Sequence, residues 1–121
     1  METLLIWYPK CGTCRNAKKW LDEHGIVVET RHIVEENPSK EELKQFWEWS
    51  SLPLKRFFNT SGMLYRELGL KDKIQEMSEE EMLSLLSSNG MLVKRPILVQ
   101  KDKVLVGFKQ EEWQKFFNME K

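Results

Sequence analysis

The chain has 121 residues, with 19 basic and 19 acidic side chains and a formal net charge of zero. That balance leaves no bulk positive field to hold nucleic acid and no acidic tail, so partner choice falls to local patches. The length is that of one domain, able to bury roughly two-thirds of its unfolded surface without a disulfide staple, and no stretch approaches the roughly 20 apolar residues of a membrane span.

The first apolar run, Leu4-Leu5-Ile6-Trp7-Tyr8, leans towards β structure. It follows Glu2 and has neither a basic segment before it nor a small-residue cleavage site after it, so it reads as a buried strand and not an export signal. Two cysteines in a chain without such a signal point to the reducing cytoplasm, where a disulfide is transient and either catalytic or sensing. Both cysteines come at once, in Trp7-Tyr8-Pro9-Lys10-Cys11-Gly12-Thr13-Cys14-Arg15-Asn16. Ala17, Trp20, Leu21 and His24 follow at spacings of three and four, which predicts a helix from about Thr13 to His24, closed by Gly25 in the left-handed conformation. The Cys-x-x-Cys pair therefore sits on a strand-to-helix turn. Pro9 stops the strand, and Gly12 is expected to let the backbone turn tightly and to leave the Cys11 thiol uncovered.

This position favours a reactive thiol at Cys11. Unpaired N–H groups of the first helical turn and the positive end of the helix dipole stabilise thiolate over thiol, and Lys10 and Arg15 add positive charge. A free cysteine with a pKa of about 8.5 falls to about 7 or lower in such settings. Cys14, one turn on, is placed to attack a mixed disulfide at Cys11 and release a reduced partner. Gly12, Thr13 and Arg15 are the candidate substrate contacts on the same turn. The pair is also half of a zinc site, and with no third cysteine the other imidazoles would be His24 and His32.

Ile26 to Val34 is rich in β-branched residues and reads as a second strand, giving a right-handed βαβ unit with parallel neighbouring strands. Residues from about 39 to 88 read as a helical insertion. Ser39-Lys40-Glu41-Glu42 is a capping box, followed by a stripe of Leu43, Phe46 and Trp47 that ends near Pro53. Leu54, Phe57 and Phe58 repeat the spacing up to Asn59-Thr60-Ser61-Gly62, and Leu64, Tyr65 and Leu68 carry a third piece up to Gly69. Ser78-Glu79-Glu80-Glu81 heads a further helix, with Met82, Leu85 and Leu86 expected inward and Asn89-Gly90 closing it. These stripes are packing faces and not a cofactor box. Pro96 to Gln100 and Lys103 to Gly107, separated by Lys101-Asp102, predict an antiparallel hairpin, and Trp113, Phe116 and Phe117 one face of a final helix.

The order βαβ, helical insertion, ββα resembles the thioredoxin-like plan: an α/β fold with a small mixed four-stranded sheet, in one domain over residues 1–121. In that plan the loop before the third strand lies across from the Cys-x-x-Cys turn. Arg95-Pro96 occupies that loop, which predicts a cis peptide bond, an Arg95 guanidinium near the Cys11 sulfur and a groove shaped by Pro96. A fixed fork of donors there would stabilise a thiolate or hold an oxyanion bidentately. The plainer reading is a loop proline beside a solvated arginine.

The Cys11 motif, the insertion, Asn59-Thr60-Ser61-Gly62, Arg95-Pro96-Ile97 and Val106-Gly107-Phe108 together resemble the Spx/arsenate reductase family, also called ArsC-like. The resemblance covers nearly the whole chain. It implies a cytoplasmic thiol-disulfide protein with no bound cofactor or metal, reset by thioredoxin or by glutathione with glutaredoxin, and having no direct contact with nucleic acid or membrane. The arsenate reductases of the family carry serine where this chain has Cys14, and bind their oxyanion with three arginines. Only Arg95 matches, since Asn59 and Gly107 stand at the other two positions, which argues against efficient arsenate reduction; Arg56 and Arg66 are the remaining candidates. The Spx-type regulators have the Cys-x-x-Cys pair as a redox switch for contact with RNA polymerase, at the C-terminal domain of its α chain. They carry a glycine in the loop after the first insertion helix, where Trp49 to Lys55 here has none, so this partner is the less favoured one.

Overall fold

Strand alternation decides which side of the sheet each part of the core occupies. A computed structural model describes residues 3–117 and has four strands: β1 (Thr3–Trp7), β2 (Glu29–His32), β3 (Ile97–Gln100) and β4 (Lys103–Val106). They are arranged β2-β1-β3-β4, with β1 and β2 parallel and the β1–β3 and β3–β4 pairs antiparallel. The expected mixed four-stranded sheet is present. Leu5 and Leu98, opposite one another in register, project to one face, while Ile6, Ile97 and Val99 project to the other.

The Leu5 face is covered by α1 (Gly12–Glu23) and α6 (Gln110–Phe116), which supply Ala17, Trp20, Leu21 and a fully buried Trp113. The Ile6 face is covered by the insertion: α2 (Lys40–Ser50), α3 (Met63–Glu67), α4 (Leu70–Lys73) and α5 (Glu79–Ser88), with 3-10 turns at Leu54–Phe57 and Ile74–Glu76 between helices and a third, Gly90–Leu92, after α5. Each large apolar side chain buried in this way contributes about 1.5–3 kcal/mol. Both expected capping boxes form, at Ser39/Glu42 and Ser78/Glu81. The Arg31 guanidinium ties β2 to α2 through two hydrogen bonds to the Glu42 carboxylate, at 2.6 and 2.8 Å.

Several expectations are corrected. The second strand covers only Glu29–His32, because the chain does not reach the sheet until after Val27, which is 89% exposed. Leu54 to Phe58 forms a 3-10 turn followed by an isolated bridge between Phe58 and Val93, and not a helix. In α5 the buried positions are Leu83 and Leu86, with Met82 and Leu85 at the margin. His24 lies outside the core, stacked on Trp20 at 4.2 Å. Phe116 and Phe117 pack at the edge of the Leu5-side core and are only partly buried.

Two glycines are dictated by their surroundings. Gly25 takes φ +67° at the end of α1, as expected. Gly90 is buried so tightly that an added Cβ would lie 2.0 Å from the Ile33 carbonyl oxygen. In the loop after α2, where no glycine is available, Ser51 takes the left-handed conformation at φ 60°.

Candidate redox site

The turn that presents Cys11 is built from backbone. The Cys11 N–H donates to the Tyr8 carbonyl at 2.9 Å across Pro9-Lys10, and α1 begins with the Arg15 N–H donating to the Cys11 carbonyl at 3.0 Å. The tight turn is thus one step earlier than expected. Gly12 is the first residue of α1, with no positive φ, and an added Cβ there would meet nothing within 4 Å.

Cys11 occupies the N-cap position of α1 without a side-chain cap hydrogen bond, and the nearby Thr13 and Cys14 N–H groups favour its thiolate. Partial burial pushes the Cys11 thiol up, but the Cys14 amide, the Cys14 thiol, the Arg95 charge and the Thr13 amide outweigh it, and the pKa lies below its ordinary value. Cys14 shows the opposite balance. It is fully buried, and its pKa is pushed up to about 12: burial raises it most and the neighbouring Cys11 adds to the rise, while the Tyr8 N–H, 3.4 Å from its sulfur, and the Arg95 charge offset part of it. Both thiols are free.

The loop before β3 is placed by the insertion. The Lys94 N–H donates to the Phe57 carbonyl at 2.7 Å and the Asn59 N–H to the Leu92 carbonyl at 2.8 Å, which brings the 59–62 loop beside Lys94-Arg95. The Arg95-Pro96 bond is cis, as expected. The Arg95 guanidinium lies over the Tyr8 ring, 5.1 Å from its centroid, and makes long bonds to the Met91 and Val93 carbonyls, at 3.4 and 3.5 Å. Its charge lowers the pKa of both cysteines, yet no hydrogen bond joins it to Cys11 among the described residues. Its Nε–H is buried without a partner, so the fork of donors is only partly used.

These elements enclose a groove of about 670 Å³ beside Cys11. Of the expected site residues it gathers Cys11, Thr13 and Arg95, together with Asn59 and Gly107 at the two positions where the resemblance places further arginines. Arg56 lines it and Arg66 does not. Gly107 takes φ +83°, so a longer side chain there would strain the backbone. Pro96 is buried behind the groove, its carbonyl accepting from the Gly107 N–H at 2.8 Å. Arg15 points away, donating to the Pro9 carbonyl at 3.2 Å. Neither Gly12 nor Arg15 lines the groove.

For the zinc alternative, no cluster of three or more potential ligands forms among the described residues. His24 Nδ1 pairs with the Trp20 carbonyl, and His32 Nδ1 accepts from the Val34 and Glu35 N–H groups.

Sequence reasoning missed two contributions. Tyr8 touches Cys11 and Cys14 through its backbone and Arg95 through its ring; its place before the Pro9 turn was the only available signal. Lys55, Lys94 and Lys109 also line the groove, but they come from separate segments and leave no local pattern.

A thioredoxin-like fold with a Cys-x-x-Cys pair at the head of its first helix defines the class of protein. A family model described as the ArsC family matches residues 6–116, and the chain belongs to that family. It is 59% identical over 114 residues to the uncharacterized protein YusI of Bacillus subtilis (strain 168), covering 94% of this chain and 97% of that one. It is 35% identical to the regulatory protein MgsR of the same strain, covering 93% of this chain and 89% of MgsR. The crystal structure of an ArsC family related protein from Bacteroides fragilis superposes with a TM-score of 0.92 at 55% identity, covering 95% of this chain and 97% of that chain. Among the described residues no helix is long and apolar enough to cross a membrane.

Proposed function

We propose that this chain is a thiol-disulfide oxidoreductase of the reducing cytoplasm, with Cys11 as nucleophile and Cys14 as resolving thiol. One observation carries the reading: Cys11 faces an open groove at a helix N-terminus, while Cys14 is buried directly behind it and held by the Tyr8 N–H. Cys11 thiolate attacks a substrate disulfide, and Cys14 then displaces the mixed disulfide to give the Cys11–Cys14 disulfide. Arg95 holds Cys11 as thiolate, and Thr13 contacts the substrate. The external reductant is thioredoxin, or glutathione with glutaredoxin. The test is reduction of bis(2-hydroxyethyl) disulfide coupled to either system through NADPH consumption. Sustained turnover lost in Cys11→Ser supports the reading, and absence of turnover with both systems opposes it.

The similarity to the regulatory protein MgsR favours a second reading, a redox-sensing regulator, for which the resemblance to the Spx-type regulators supplies RNA polymerase as the partner. Pull-down from oxidised and reduced extracts separates the two, because a regulator captures polymerase in one redox state only. A third assay uses arsenate with glutathione and glutaredoxin. Turnover dependent on Cys11 there would overturn the argument from Asn59 and Gly107.

A further inference from the structure

The charge around Cys11 is lopsided in a chain whose total charge is zero. Lys55, Arg56, Lys94, Arg95 and Lys109 line the groove against a single carboxylate, Glu112. Among the described residues the ion pairs are Lys18–Asp22, Arg31–Glu42 and Lys40–Glu80, so none of the five groove cations is neutralised by a carboxylate. Like charges collected around one cleft repel one another, an arrangement that an anionic ligand relieves.

The layout of the cations decides what kind of anion fits. A small tetrahedral oxyanion needs several donors converging within hydrogen-bond reach of one point. Here Asn59 and Gly107, which also line the groove, bring no charge. The cations are spread instead along the 3-10 turn after α2, the approach to β3 and the start of α6, around a space of about 670 Å³. Lys55, Arg56 and Lys109 are exposed while Lys94 and Arg95 are half-buried, and so distributed a set suits an extended partner with several separated carboxylates.

We propose that the preferred substrate is a disulfide within an acidic polypeptide segment, whose Asp and Glu side chains lie along these cations while its cystine meets Cys11. This rests on the dithiol reading above. The chemistry balances within the reduced protein. Cys11 thiolate bonds to one substrate sulfur, and the other leaves as a thiolate that takes a proton from water. Cys14 loses its proton and attacks the Cys11 sulfur, releasing the second substrate thiol, so the protein is oxidised by two electrons as the substrate disulfide gains them.

The test uses prereduced full-length protein in single turnover, with three synthetic peptides that carry the same disulfide flanked by Asp and Glu, by Ser, or by Lys. Each rate is divided by that of the same peptide with dithiothreitol, which removes the intrinsic preference of thiolates for cationic disulfides. The acidic peptide is expected to react about tenfold faster than the basic one at low ionic strength, with the ratio collapsing in about 0.5 M salt as the Debye length shrinks. Lys55→Glu with Arg56→Glu should erase the ratio. Lys71→Glu with Lys73→Glu, the same charge change on α4 away from the groove, should preserve it. Equal normalised rates for all three peptides contradict the proposal while leaving the dithiol reading intact, whereas failure to reduce any of the three removes the dithiol reading itself. Two competition results also contradict it: suppression of the acidic-peptide rate by phosphate beyond its ionic-strength effect, which indicates a compact oxyanion site, and stronger inhibition by a single-stranded oligonucleotide than by polyglutamate of equal charge.

Discussion

The Arg95 guanidinium lies over the Tyr8 ring, 5.1 Å from its centroid, while the backbone N–H of Tyr8 points at the Cys14 sulfur from 3.4 Å. One residue thus contacts both the cation that lowers the pKa of Cys11 and the buried Cys14 thiol. The ring also meets His32 edge-on at 5.5 Å, which fixes its tilt against the end of β2. Removal of the ring frees Arg95 without touching the backbone contacts. Tyr8→Leu is therefore expected to slow Cys11 alkylation near neutral pH by about two- to fivefold, the worth of an arginine–aromatic contact. Tyr8→Phe should restore the rate. Equal rates in Tyr8→Leu and the parent protein would mean that the ring does not position Arg95.

The two thiols should separate clearly in a pH series. Cys11 lies below its ordinary pKa and Cys14 at about 12, so at pH 8 iodoacetamide should label Cys11 alone in the folded protein. Peptide mapping after a timed quench reads both sites. Preferential labelling of Cys14 would reverse the assignment of roles.

The same values carry a stability consequence. Cys14 stays protonated in the folded state up to about pH 12 but ionises in the unfolded state near 9. Between these values the unfolded state holds fewer protons, so folding stability is fully present below pH 9 and falls as the pH rises towards 12. Urea denaturation of the reduced protein and of Cys14→Ala across about pH 8 to 11 should show the parent losing stability faster. Parallel curves would contradict the buried-thiol assignment.

Glu42 gives the mirror case. Its hydrogen bonds with Arg31, opposed by partial burial, bring its pKa down to about 2. The stabilisation is present above the unfolded carboxylate range and is lost as pH falls from about 4.5 towards 2. The pair is partly exposed, and after solvent screening about 1 kcal/mol remains. Glu42→Gln should therefore lower stability by about that amount at pH 7 and by less near pH 3. An equal deficit at both pH values would assign the loss to packing and not to charge.

Gly90→Ala is a steric test. The new methyl would meet the Ile33 carbonyl oxygen at 2.0 Å and its carbon at 2.7 Å, both backbone atoms that cannot swing aside. A loss of about 1–3 kcal/mol in urea denaturation is expected, as for other overpacked sites. A neutral effect would mean that the contact between the Gly90–Leu92 turn and the end of β2 is looser than these distances require.

The strand-to-helix placement of the cysteine pair was legible because it depends on neighbours within about ten residues: an apolar run, a proline and a three-four repeat. The Arg95-Pro96 loop was legible only through the fold plan, since nothing local ties it to Cys11. What stayed hidden depends on distant backbone. Ile26 to Val28 has the composition of a strand, yet the pairing of β1 begins only at Glu29. Gly90 reads as a helix stop, but the Ile33 carbonyl is what requires it. The cationic groove has no linear signature, since its members come from separate parts of the chain and balance acidic residues elsewhere.

The dithiol centre is tested most directly by equilibrating the protein in graded thiol buffers and counting alkylatable cysteines by mass. The predicted result is a single transition in which Cys11 and Cys14 are lost together to an intramolecular disulfide, absent in Cys14→Ser; a potential near the roughly −270 mV of thioredoxin marks an electron donor. Absence of that disulfide at every poise would contradict the account and leave Cys11 to act alone.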